Sequence, residues 1–112
     1  MKLNADISAV VTGGASGLGA GVVRHLRERG VSTALFDMDE DRGQQMATET
    51  GSTFIKVDVS DSASVRAGFA AARTAHGQER LVVNCAGIAP AMKTVSRGQA
   101  HDPDLFAKVI AI

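Results

Sequence analysis

From Ile7 onward, short apolar runs take turns with stretches in which apolar residues recur at helical spacing. Ile7–Thr12 reads as a strand. Gly17–Arg29 reads as a helix, with Gly19, Val22, Val23 and Leu26 at i, i+3, i+4, i+7 and Gly30 closing it. Ser32–Asp37 is a second strand, and Asp39–Thr50 a weaker helix whose apolar face is Gly43, Met46, Ala47 and Thr50, with Gly51 after it. Thr53–Asp58 is a third strand. Ser60 or Asp61 can N-cap the next helix, where Val65, Gly68, Phe69 and Ala72 share a face and Gly77 ends the pattern. Leu81–Asn84 is short and almost wholly apolar, as expected of a strand buried on both faces. This alternation predicts right-handed βαβ units on a parallel sheet. The expected fold is α/β, a Rossmann-like doubly wound sheet in strand order 3-2-1-4.

The pattern fades after the fourth strand. Ala89–His101 has no convincing period, and a loop of that length in a compact domain is more often functional or mobile. Asp102 then makes a good N-cap with Pro103 at the first helical position, and Leu105, Phe106, Val109 and Ile110 begin a helix. That helix reaches Ile112 with no Gly, Pro or polar cap, and strand four keeps an uncovered edge. The expectation is that residues 1–112 form one nucleotide-binding domain, incomplete at its C-terminus, in a longer polypeptide. The alternative, a natural mini-domain, would bury its apolar surface poorly.

Composition narrows the classes. A formal net charge of zero with no basic stripe argues against nucleic acid or an anionic membrane as the main partner. The single cysteine, Cys85, excludes an internal disulfide and suits a reducing compartment. Asn4, Asp6 and Ser8 break any apolar signal core, and no run is long enough to span a bilayer, so a cytoplasmic location is expected. The chain has no tyrosine and no tryptophan. A mechanism that needs a tyrosine acid or base therefore cannot be completed by these residues.

The chemistry centres on Val10–Gly21, VVTGGASGLGAG, where Gly13, Gly14, Gly17, Gly19 and Gly21 follow a strand and open a helix. Such a turn lets backbone N–H groups and the positive end of a helix dipole approach a phosphate without Cβ atoms in the way. Asp37 ends the second strand 18 residues beyond Gly19, where an acid can accept hydrogen bonds from adenosine ribose hydroxyls. A carboxylate there repels a 2′-phosphate, Met38 follows in place of an arginine, and Asp39, Glu40 and Asp41 add negative charge. NAD rather than NADP is the reading. Asp58 ends the third strand, and Asn84–Gly87, NCAG, follows the fourth across the topological switch. Ser16 could donate to a cofactor from the turn but lacks the G-x-S-x-G elbow of a hydrolase. His25, His76 and His101 have no metal-ligand spacing, so no metal is expected; His25 and His76 read as solvated residues near helix C-termini.

With Thr12–Gly19, Asp37, Asp58 and Asn84–Gly87 in this order and spacing, the whole chain resembles a short-chain dehydrogenase/reductase, whose nucleotide loop has the T-G-x-x-x-G-x-G form. The resemblance implies cofactor contacts from Gly13, Ser16, Gly17, Leu18 and Gly19 in the turn and from Asp37 and Met38. It implies that Asp58 bonds the adenine amino group while Val59 lies against the ring, and that Asn84, Ala86 and Gly87 receive the nicotinamide ribose. The family usually shows N-N-A-G; Cys85 replaces the second asparagine, which touches one backbone-bracing hydrogen bond. No basic residue near Cys85 suggests a nucleophilic thiol.

The implied reaction moves a hydride between NAD and a secondary alcohol or ketone. In the family the accompanying proton transfer uses a tyrosine, a lysine, a serine and an asparagine, and none of those positions lies in this chain. F-x-x-V-x-x-x-N is the family's pattern, and with Phe106 and Val109 beginning it the resemblance implies that the asparagine is expected immediately after Ile112. VNCAGIA and RGQAHDPDLF resemble the 3-hydroxyacyl-CoA dehydrogenase branch, which implies a small-molecule alcohol or ketone substrate with an acyl-CoA among the candidates. Lys93 and Arg97, cations on the loop after strand four, either attract its phosphates or are ordinary solvated loop charges. A homo-oligomer is implied by the same resemblance. A non-catalytic NAD-binding or regulatory module is the alternative reading.

Overall fold

The computed structural model describes residues 2–85 and the backbone of 109–111. β1 (Ser8–Thr12) is a central strand, with β2 (Ser32–Asp37) and then β3 (Thr53–Lys56) on one side and β4 (Leu81–Asn84) on the other. The four run parallel in the order 3-2-1-4. α1 (Gly17–Glu28), α2 (Glu40–Thr50) and α3 (Ser62–His76) are the crossovers. Strand alternation sorts the core into two layers. Ala9, Val11, Leu35, Leu81 and Val83 pack with Val23 and Leu26 of α1 and Met46 of α2. Val10, Ala34 and Phe36 point the other way, where Ala72, Val65 and Phe69 of α3 meet them. A Val, Leu, Met or Phe side chain contributes about 1.5–3 kcal/mol when fully buried, and an alanine methyl less, so the sheet is held from both faces.

The helix faces are those the periodicity predicts, and two of their glycines have a packing reason. A Cβ on Gly68 would stand 2.6 Å from Val57 Cγ2 and 3.2 Å from Phe36 Cε2, and one on Gly43 would enter the Phe54 ring. Both helices lie too close to the sheet for a side chain there. Phe36 and Phe69 meet edge to face with centroids 5.2 Å apart. The choice left open for the α3 cap falls to Asp61, whose side chain accepts from the Ala63 N–H at 3.0 Å. Asp39 caps α2 in the same way, from Arg42 N–H at 3.1 Å. β3 is two residues shorter than expected, because Val57 and Asp58 already turn out of the ladder.

Two expectations change. Residues 102–108, the start of the expected last helix, lie outside the described residues. Val109–Ala111, expected to continue it, instead form β5, antiparallel to β4 with Val82 opposite Ile110. A run of Val, Ile and Ala fits either period, and the unpaired backbone edge of β4 offers hydrogen-bonding partners that a helix would not use. His76, expected to be solvated, is half-buried against Thr53 Oγ1 at 2.9 Å, and burial lowers its pKa below the ordinary histidine range, with Arg27 adding to the effect.

Candidate nucleotide site

Because β1 to β4 are parallel, their C-terminal ends share one edge of the sheet. That edge carries Thr12 and the glycine turn, Asp37, Asp58 and Asn84. Side-chain and backbone bonds tie these ends together. Gly13 N–H donates to the Phe36 carbonyl at 2.7 Å, and Ala15 N–H donates to Asp37 Oδ2 at 3.1 Å. Val57 N–H donates to the Asp37 carbonyl at 3.1 Å, joining the turn before Asp58 to the same strand end. Across the switch point, the Thr12 hydroxyl donates to Asn84 Oδ1 at 2.6 Å and accepts from Cys85 N–H at 3.1 Å.

Gly17 takes φ +58°, a left-handed conformation that side chains disfavour, so its glycine serves the backbone path. Gly19 serves space instead: a Cβ there would overlap the Gly13 carbonyl oxygen and lie 3.1 Å from Gly14 Cα. Ser16 is the N-cap of α1, yet its side chain makes no capping bond, and the first turn holds no acid. The exposed Ser16 hydroxyl and the N–H groups that follow it fit a phosphate at the positive end of the helix. Gly13, by contrast, has its N–H committed to β2, and its φ of +70° is again a left-handed backbone that favours glycine.

Asp37 is half-buried, with Oδ2 toward Ala15 and Oδ1 accepting Asp39 N–H at 2.9 Å. Each oxygen retains acceptor capacity for a hydroxyl. Asp58 Oδ1 accepts from both the hydroxyl and the N–H of Ser60, at 2.6 and 2.9 Å, and these bonds hold its carboxyl below the usual range. Its other oxygen has no partner among the described residues. The turn role and a ligand role are therefore compatible at Asp58, one oxygen for each.

The large hydrophobic side chains exposed among the described residues are Leu18, Met38 and Val59, at 39%, 55% and 48%. One follows each of β1, β2 and β3, so the exposed apolar surface collects along the same edge as the polar groups. Exposed apolar groups beside convergent polar ones are what an aromatic ligand requires. Ala86 and Gly87 lie outside the described residues. Cys85 is buried, and desolvation pushes its thiol up to about 11, which leaves it inert as a nucleophile.

Sequence reasoning missed the tether from Ala15 to Asp37 and the role of Thr12 as the residue that orients Asn84. A threonine closing a strand carries no signal of a partner 72 positions away. Among the described residues, no group of three or more His, Cys, Asp or Glu could hold a metal, and no helix is long and apolar enough to cross a membrane.

A parallel 3-2-1-4 sheet with a glycine turn at its switch point defines a Rossmann-type nucleotide-binding unit. The family model for short chain dehydrogenases matches residues 8–112, and the chain belongs to that family. It is 39% identical over 108 residues to the 3-hydroxyacyl-CoA dehydrogenase type-2 of Drosophila melanogaster, covering 93% of this chain and 42% of that protein. It is 44% identical over 82 residues to the 3-beta-hydroxysteroid dehydrogenase of Comamonas testosteroni, covering 71% of this chain and 32% of the relative. Among solved structures it is similar to the 3-ketoacyl-(acyl-carrier-protein) reductase of Brucella melitensis complexed with NADH. That likeness has a TM-score of 0.70 and 27% identity, over 73% of this chain and 34% of the reductase. The chain thus spans less than half the length of the relatives it matches.

Proposed function

We propose that this chain holds NAD along the C-terminal edge of its sheet, as part of an oxidoreductase acting on a secondary alcohol or ketone. The observation that carries the cofactor choice is the Asp37 carboxylate beside the glycine turn. A 2′-phosphate at that position would meet a fixed negative charge. The nearest following arginine, Arg42, is paired with Asp39 at 3.6 Å rather than directed to a phosphate. Gly13 and Gly19 leave room for the pyrophosphate, and Ser16, Gly17 and Leu18 bring donors and the helix dipole to it. Asp58 accepts from the adenine amino group; Leu18, Met38 and Val59 give the ring apolar contact. Asn84, Ala86 and Gly87 receive the nicotinamide ribose.

When bound, NAD supplies the hydride acceptor or donor. This chain's residues orient it and exclude the phosphorylated cofactor. Among its own residues the chain has no tyrosine to serve as the acid or base for the alcohol's proton.

For the substrate we favour a 3-hydroxyacyl-CoA over a hydroxysteroid, because the likeness to the acyl-CoA enzyme extends over 93% of the chain and that to the steroid enzyme over 71%. Lys93 and Arg97 would attract the CoA phosphates. A non-catalytic module has no comparable support, since both of those relatives are named as dehydrogenases.

Calorimetry with NAD and NADP on the protein that carries this chain tests the cofactor reading. Wild type binds NAD more tightly. Asp37→Ala loses about ten- to a hundred-fold for NAD, the worth of hydrogen bonds to a charged acceptor, and discriminates less against NADP. Equal wild-type affinity for both cofactors overturns it. Comparing kcat/KM for a 3-hydroxyacyl-CoA and a 3-hydroxysteroid decides the substrate class, and a steroid preference refutes the acyl-CoA assignment.

A further inference from the structure

Three consecutive N–H groups that open the glycine turn face β2 and not the crevice. Gly13 and Gly14 both donate to the Phe36 carbonyl, at 2.7 and 3.3 Å. Ala15 donates to Asp37 Oδ2 at 3.1 Å. The donors left for a pyrophosphate begin after Ala15. They belong to a segment that includes Gly17, whose surroundings are open: a Cβ placed there would meet nothing within 4 Å. Asp37 is in turn held at a strand end paired with β1 on one side and β3 on the other, and by Asp39 N–H on Oδ1.

We infer that Asp37 is also a positioning residue for the phosphate subsite: its carboxylate anchors the turn at Ala15 and so pre-organises the N–H groups of Ser16, Gly17 and Leu18. This rests on the nucleotide-site reading above. The physical basis is entropic. Backbone donors that already converge bind an anion without the cost of ordering a glycine-containing segment at the moment of binding. A carboxylate is the stronger acceptor for that tether, because a hydrogen bond to a charged group exceeds a neutral one. One side chain then serves two subsites, and changing it for ribose specificity also loosens the phosphate donors.

The test separates the two roles by removing the ribose hydroxyls from the ligand. ADP and 2′,3′-dideoxy-ADP are titrated by calorimetry into the protein that carries this chain, as wild type, Asp37→Ala and Asp37→Asn. Native amide exchange at Ala15 is followed in each without ligand. The expected result is that Asp37→Ala weakens dideoxy-ADP by about five- to ten-fold, the worth of one hydrogen bond, and weakens ADP further. Asp37→Asn, which keeps one oxygen acceptor, recovers part of the dideoxy-ADP loss, and Ala15 exchange quickens in the order wild type, Asn, Ala. If Asp37→Ala weakens ADP but leaves dideoxy-ADP and Ala15 exchange unchanged, Asp37 meets the ribose only and the inference falls. If wild type binds neither nucleotide, the nucleotide-site reading itself fails. Should the alanine variant not fold by circular dichroism, the asparagine variant carries the same comparison.

Discussion

Thr12 and Asn84 are cross-strand partners on β1 and β4, and the Thr12 hydroxyl bridges them by donating to Asn84 Oδ1 at 2.6 Å while accepting from Cys85 N–H. With its oxygen held, the exposed Asn84 carboxamide keeps its nitrogen for the crevice. Thr12→Val preserves shape and removes the hydroxyl. It should lower stability by about 1–2 kcal/mol, the cost of a lost part-buried hydrogen bond, and reduce nucleotide affinity. Thr12→Ser should do neither. Urea unfolding of the two variants checks this, and equal midpoints for wild type and Thr12→Val would show the bridge to be idle.

Gly19 is where α1 rides against the turn, and even one methyl overlaps the Gly13 carbonyl. Gly19→Val should abolish nucleotide binding, and Gly19→Ala should weaken it by at least about ten-fold, since displaced backbone cannot relax cheaply in a packed interior. Gly21 offers a control, because a Cβ there meets nothing within 4 Å; Gly21→Ala should bind as wild type does. Calorimetry on folded variants decides, and wild-type affinity in Gly19→Ala would make the contact irrelevant to the ligand.

Glu79 is 1% exposed, yet it stays charged, because Arg73 donates to both its oxygens at 2.8 and 2.9 Å and Gln78 adds a bond at 2.7 Å. The Arg73 bonds hold its carboxyl below the usual range against the opposing effect of burial. For a lowered pKa the stabilisation is present above the unfolded value, about 4.3, and is lost as pH falls through the folded one. Acid titration of the unfolding midpoint should therefore show a loss below about pH 4 that Glu79→Gln removes. Arg73→Ala should destabilise more than Glu79→Gln at neutral pH, because it leaves a buried carboxylate without its main partner, while the glutamine variant leaves a half-exposed cation. The reverse order would contradict this account.

The Cys85 thiol, raised to about 11 by burial, is nearly all protonated at pH 8. Its thiolate fraction there is about a thousandth, against roughly a quarter for an ordinary cysteine, so native alkylation should be slower by about two orders of magnitude. Denaturant should restore the ordinary rate. A raised pKa means that stability is complete below the unfolded value and declines as pH rises toward 11. Mass-resolved iodoacetamide kinetics would settle it, and equal native and denatured rates would refute the burial argument.

Much of this protein is determined locally, and so was readable from the residues alone. β2 and β4 have the bounds their apolar runs predict, Asp39 and Asp61 open α2 and α3, and Gly51 and Gly77 close them, because caps act on neighbours within a turn. The 3-2-1-4 order follows from right-handed crossovers, and family membership from the spacing of Thr12–Gly19, Asp37, Asp58 and Asn84. Only the tertiary structure decided which of those residues hold one another. Ala15 meets Asp37 across 22 positions and Thr12 meets Asn84 across 72, and no local pattern records such a pairing. Glu79 in HGQERL looks like any surface charge until the fold buries it against Arg73 of α3, and Val109–Ala111 fits a helix until the open edge of β4 lies beside it. The physical reason is the same in each case. Period and capping depend on residues a few positions apart, whereas burial, pKa and edge pairing depend on what the folded chain brings alongside.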